Sequence, residues 1–287
     1  GAGEARARRP SVVRRRRLPR LVRTLLVVGL VVELVLPVVI VLRRNDLLFL
    51  PSARPLPEAG LPSFGDVPVE VVRVRRPDGR ELAAYDVTPK EAGPDAPVVL
   101  YLHGNAGNIA MRAGMARRFA VGARCRLLLL DYSGYGGNRG APSEDEIGVD
   151  ALAAYDHLVT GGVGAARLVV YGESIGGGPA LLVASRRPVA GVVLQSTFVS
   201  LSSMMRRVVP WLPLAALFVR GSFPNAERIE GLKGPVLVVH GTGDTVIPFA
   251  EGKALHAAAP SGAELLPIEG ADHNDLLDVA GDAYLRG

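Results

Sequence analysis

One cysteine, Cys125, and one tryptophan, Trp211, stand in a chain of 287 residues. A lone thiol excludes an intramolecular disulfide framework and any cysteine-rich zinc site. It leaves the compartment open, because extracytoplasmic domains of this size fold without disulfides. The chain also lacks a GxxxxGK loop ending in Ser or Thr, an acid at dinucleotide spacing after its glycine-rich turn, and any internal repeat at roughly 20–50 residues. Phosphate-loop enzymes, solenoids and propellers are thereby excluded. A metal centre built on His103, His240 and an acid has no tight ligand spacing, so neither metal nor cofactor is expected.

What is present is apolar: 48% of residues are hydrophobic and 21% charged, enough for one sizeable core. The net charge of +5 is unevenly spread, for the first sixty residues hold twelve Arg against Glu4, Glu33, Asp46 and Glu58. A net −3 therefore falls on residues 61–287, and a basic nucleic-acid face is not expected there. Thr24 to Leu42 reads TLLVVGLVVELVLPVVIVL, nineteen residues that as a helix would span roughly 28 Å, close to the thickness of bilayer hydrocarbon. Glu33 and Pro37 oppose insertion, and the many Val, Leu and Ile residues outweigh them. Eight arginines from Arg8 to Arg23 precede the run and Arg43, Arg44 and Arg54 follow it, so the expectation is a single-pass anchor with the rest of the chain outside the cytoplasm. A cleaved signal peptide is the competing reading, but the run is long for one and Pro51-Ser52-Ala53 is a poor cleavage site.

From Val67 the pattern becomes regular. Alternation in VPVEVVRVRR, a turn at Pro77-Asp78-Gly79-Arg80 and the run Glu81–Tyr85 predict a β-hairpin. Continuous apolar runs follow at Val98–Leu102, Leu127–Leu130, Leu168–Tyr171, Val189–Leu194 and Val236–His240, as expected of strands buried on both faces. Helical stretches separate them at Asn108–Ala120, Ser143–Leu158, Ile175–Ser185 and Phe249–Ala258. A last strand, Ala263–Ile268, precedes a helix predicted over Asn274–Leu285. The expected fold class is α/β, a mostly parallel central sheet with helices on both faces. Phe198 to Lys233 has no strand and reads as an insertion over the sheet.

In such a sheet ligands gather at the carboxyl ends of the strands. There Gly172-Glu173-Ser174-Ile175-Gly176 forms G-x-S-x-G between a predicted strand and a predicted helix, the setting of a nucleophile elbow. Ser174 is the expected nucleophile. Its base is expected to be His273, in the loop after the last strand, since His157 and His256 lie in predicted helices and His103 and His240 suit turn or supporting roles. Asp244 is expected to orient His273, ahead of the sequence neighbours Asp272 and Asp275, and the chain order Ser174, Asp244, His273 suits this architecture. The oxyanion donors are expected to be the amides of Ile175 and Asn105. Met204 and Trp211 of the insertion are expected to line an acyl pocket.

With these residues in view, the chain resembles the α/β-hydrolase superfamily, and more narrowly the membrane-anchored bud-emergence-type (Bem-like) branch of serine hydrolases. Besides the elbow, the likeness rests on LHGNAGN at 102–108, DYSGYGGNRGAPSE at 131–144, QSTFVSL at 195–201, HGTGDTVIP at 240–248 and DHND at 272–275. Gln195-Ser196 depart from the acid or Asn common in that branch. The resemblance implies cleavage of carboxylic esters or thioesters, so the expected partners are a small-molecule or lipid-like acyl substrate and, from the apolar run and the charge distribution, the membrane through the N-terminal helix and no nucleic acid. The expected organisation is a basic arm (1–23), a transmembrane anchor (24–42), a linker (43–66) and a hydrolase domain (67–287) with a cap insertion (198–233). A non-catalytic binding protein of the same fold, or a peptidase of the same fold, are the alternatives.

Overall fold

The computed structural model describes residues 19–57, 61–281, 284 and 285. The expected basic arm lies outside these residues up to position 18. Helix α1 (Arg20–Leu42) takes in the whole apolar run, with Pro37 inside it. The next stretch, expected as a linker, is instead tied down as far as residue 57. It forms α2 (Arg44–Leu48) and β1 (Leu50–Pro51), buries Phe49 and Leu56, and its Ser52 amide donates to the Gly107 carbonyl at 2.8 Å. A two-residue bridge made to a distant loop has no periodicity to announce it.

The hairpin comes next, β2 (Val69–Arg75) against β3 (Glu81–Val87), antiparallel. Then follow β4 (Val98–Leu102), β5 (Ala106–Gly107), a single 3-10 turn and α3 (Ala113–Gly122), β6 (Arg126–Leu130) and α4 (Glu144–Thr160). The side chain of Ser143 caps α4 by accepting the Glu146 amide, which is why the helix starts there. Next in order are β7 (Leu168–Glu173), α5 (Gly177–Arg186) and β8 (Gly191–Gln195), then the strandless insertion with α6 (Leu201–Val208) and α7 (Pro213–Phe218), followed by α8 (Asn225–Glu230). The chain closes with β9 (Val236–Gly241), α9 (Phe249–Ala258), β10 (Glu264–Ile268) and α10 (Leu276–Ala280). The last helix is shorter than expected because Gly281, at φ +62°, turns the backbone out of the helical region.

The main sheet runs β10-β9-β8-β7-β4-β6-β3-β2, parallel from β10 to β6. The strands are apolar on both faces because both are covered. Leu100, Leu102, Val170 and Leu194 pack under α4, α5 and the insertion; Val99, Tyr101, Leu129 and Tyr171 pack under α3. Each such side chain contributes about 1.5–3 kcal/mol by leaving water. After β4 the chain moves to β6 on one side, then returns to β7 on the other. The order of strands thus reverses at β4 and β7, and a crevice opens at their carboxyl ends.

Candidate active site

Ser174 stands at that crevice, directly after β7. Its φ is +55°, a left-handed backbone that a side-chain-bearing residue adopts only when its surroundings enforce it. Gly172 and Gly176 make this turn possible. A Cβ on Gly176 would lie 2.1 Å from the Leu102 carbonyl oxygen, and one on Gly172 would lie 2.6 Å from the Gly176 carbonyl oxygen. Only hydrogen fits at either position, and the turn presses against β4. Ser174 is 8% exposed.

The loop after β10 brings His273 over the elbow, with Nε2 3.1 Å from Ser174 Oγ. On its other side Nδ1 lies 2.7 Å from Asp244 Oδ2. A carboxylate can only accept, so Nδ1 carries the hydrogen and Nε2 offers its lone pair to the Ser174 hydroxyl. Asp244 sits in the loop after β9, where its Oδ1 accepts the amides of Val246 (2.9 Å) and Ile247 (2.7 Å). Burial works against its charge. Hydrogen bonds from His240, His273 and the Ile247 amide nevertheless hold its carboxyl well below the usual range. Three residues separated by 70 and 29 positions are thus joined in one line of hydrogen bonds.

The competing acids are occupied otherwise. Asp272 Oδ1 accepts the amides of Thr245 (2.8 Å) and His273 (2.7 Å), and Asp275 Oδ1 accepts the Asp272 amide at 2.7 Å. They lock the Asp244 loop to the His273 loop. The two remaining loop histidines are fully buried: His103 Nδ1 is 2.6 Å from the Gly104 carbonyl, and His240 Nε2 is 2.7 Å from the Ile247 carbonyl and 3.3 Å from Asp244 Oδ2. His157 and His256 lie on α4 and α9. Among the described residues no three His, Cys, Asp or Glu side chains cluster as a metal site.

The loop after β4 flanks the elbow so closely that a Cβ on Gly104 would come 3.3 Å from Ser174 Cβ. Asn105 follows, and it is fastened from two sides. Tyr135 donates to its carbonyl at 2.6 Å, and its Oδ1 accepts the Leu50 amide of β1 at 2.9 Å. Behind the loop, Asp131 accepts the Ile109 amide at 3.2 Å, and Asp150 accepts the Ser133 amide at 2.7 Å while pairing with buried Arg76. Ile175 begins the turn into α5, next to Ser174.

Glu173 points to the α3 side of the sheet, where Tyr101 donates to its Oε2 at 2.6 Å and Arg112 Nε lies 3.5 Å away. Burial raises its pKa, but the Arg112 charge and the Tyr101 bond outweigh this and keep it below the ordinary value. This carboxylate forms part of a cavity of about 340 Å³ that reaches His273. Tyr101, Met115, Phe119, Tyr171 and Leu277 line it too. Met204 and Trp211, expected to line an acyl pocket, do not border this cavity. Met204 packs down on the core from α6, and Trp211, in the proline-bounded bend before α7, is 63% exposed. The sequence did not reveal the wall of this cavity because Tyr101 and Tyr171 sit inside apolar strand runs. Only their register and stacking, with centroids 4.8 Å apart, shows that they share a wall.

A family model described as alpha/beta hydrolase fold matches residues 97–228. An uncharacterized protein of Mycobacterium tuberculosis is 39% identical over 241 residues, covering 82% of this chain and 83% of that protein. Alpha/beta hydrolase domain-containing protein 17C of Homo sapiens is 37% identical over 179 residues, 62% of this chain and 53% of that one. Among solved structures, an esterase of Pyrococcus furiosus superposes with a TM-score of 0.64 at 18% identity, covering 83% of this chain and 94% of its own. At that identity the likeness is one of fold.

Proposed function

The chain belongs to the α/β-hydrolase superfamily, and on that premise we propose that it is a membrane-anchored serine hydrolase cleaving carboxylic ester or thioester bonds. The observation that carries this reading is the line Ser174, His273, Asp244 at the crevice where strand order reverses. Ser174 Oγ attacks the acyl carbonyl carbon while His273 Nε2 takes its proton, and Asp244 stabilises the imidazolium that forms. The Ile175 and Asn105 amides receive the tetrahedral oxyanion, each worth on the order of 3–4 kcal/mol in the transition state. Collapse breaks the bond to the alcohol or thiol, which leaves with the proton from His273. Water then attacks the acyl-enzyme with His273 again as base, releasing the acid and restoring Ser174.

The resemblance to the bud-emergence-type branch supports ester or thioester substrates over peptides. The apolar composition of α1 and the excess of arginines ahead of it support a retained single-pass anchor at 24–42 with the catalytic domain at 67–287 outside the cytoplasm, and the strandless stretch between β8 and β9 supports a cap at 198–233. A fluorophosphonate probe should label the protein covalently, and Ser174→Ala should abolish that labelling. Labelling that persists on another serine, or a folded wild-type protein that is never labelled and turns over no acyl ester, overturns the proposal.

A further inference from the structure

Four apolar side chains of the cap are uncovered: Val208, Trp211, Leu217 and Phe218 are all exposed, on the end of α6, on α7 and in the bend between them. Exposed Arg206, Arg207 and Arg220 flank them in the chain, Arg207 paired with Glu251. Tryptophan and phenylalanine bordered by cations is the make-up of a segment lying at a membrane surface. Composition alone would not identify what covers it; α1 does.

Helix α1 packs against α7. On it Glu33, Leu36, Pro37, Ile40 and Val41 are buried or half-buried at helical spacing, and Ile40 and Val41 rest on the main core. Residues 20–32, ahead of this stripe, are all exposed. They reach only about 20 Å at ~1.5 Å per residue, against ~30 Å of hydrocarbon. The helix can therefore cross a bilayer only if its docked half also lies within the membrane. That brings α7, packed against it, to the boundary.

We propose that the outer face of the cap, formed by Val208, Trp211, Leu217 and Phe218, is seated in the interfacial layer of the bilayer that α1 crosses, its arginines meeting anionic headgroups. The inference rests on the anchoring proposed above and is independent of the hydrolytic chemistry. Because β8 enters the cap at the edge where Ser174 follows β7, with Glu173 opposite Gln195, the catalytic edge of the sheet then faces the membrane.

Trp211 is the only tryptophan, so its fluorescence reports on this face alone. The full chain is reconstituted in phosphatidylcholine–phosphatidylglycerol vesicles with and without brominated acyl chains. Brominated lipid should quench Trp211 by about two-fold or more, and aqueous iodide should quench it little. In the double variant L217E/F218E the lipid quenching should fall, while flotation with the vesicles and fluorophosphonate labelling persist. Vesicle-bound protein whose Trp211 ignores brominated lipid and responds to iodide overturns the inference and leaves the anchor standing. Protein that does not float overturns both, and loss of labelling alone bears on the hydrolase reading.

Discussion

The elbow and the cap rise from the same edge of the sheet and are built in opposite ways. Around Ser174 the backbone is pressed so tightly that hydrogen is the largest substituent Gly172 and Gly176 can carry, and the residues from 174 to 178 are all buried. The cap is held by buried side chains such as Leu201, Leu212, Ala215, Ala216 and Val219 and by the packing of α7 on α1, while Val208, Trp211, Leu217 and Phe218 stand in the open. Geometry that must be held to a fraction of an ångström is secured by backbone packing. A surface that meets a fluid partner needs only composition. Substitutions should therefore be costly in the first region and nearly silent in the second.

The widest gap lies in turnover. His273→Ala should lower kcat for a soluble p-nitrophenyl ester by about 10⁶-fold, whereas Val208→Ser in the cap should leave it within about two-fold. Comparable losses from both would erase the distinction. Gly176→Ala should come next, since its methyl meets the Leu102 carbonyl, a backbone atom that cannot yield. We expect about 3 kcal/mol of destabilisation, or roughly 6–10 °C in Tm by calorimetry. An unchanged Tm would mean the elbow is looser than its contacts imply.

Asn105→Ala removes the side-chain acceptor of the Leu50 amide and leaves the backbone amide in place. It should cost about 1 kcal/mol in urea unfolding and about ten-fold in kcat, with KM little changed. A loss confined to KM would separate the β1 strap from transition-state stabilisation. The Asp244 carboxyl is held below its ordinary value of 3.8, so the stability it adds is fully present above that value and fades as pH falls through the depressed one. The stability difference between wild type and Asp244→Asn should accordingly narrow in urea titrations below about pH 4. A gap that widens there would reverse the sign of the linkage. Smallest of all, Val208→Ser should move unfolding in detergent by no more than about 0.5 kcal/mol.

Much of the molecule could be read along the chain. Strands such as Val98–Leu102 announce themselves because both faces are buried, and the α4 start was visible in Ser143 and Glu146. Gly172-Glu173-Ser174-Ile175-Gly176 placed the turn, although the need for Gly176 comes from β4 pressing on it. The course of residues 43–57 was hidden, because Leu50 pairs with Ala106 across more than fifty positions and nothing local encodes that bridge. The cavity wall was hidden likewise: Tyr101, Arg112 and Glu173 meet only after β4 and β7 align, and an apolar strand pattern does not say which Tyr faces a void.

The sequence by itself determined the alternation of strands and helices, the apolar α1 and the elbow motif, because these depend on spacing between near neighbours. Only the tertiary structure decided how Asp272 and Asp275 tie the loops around the His273 imidazole, that the chain after α1 straps the Asn105 loop, and that a cavity lined by Tyr101, Tyr171 and Glu173 reaches His273 on the α3 side. Those outcomes turn on the direction of side chains across loops brought together from distant parts of the chain, which short-range periodicity does not contain.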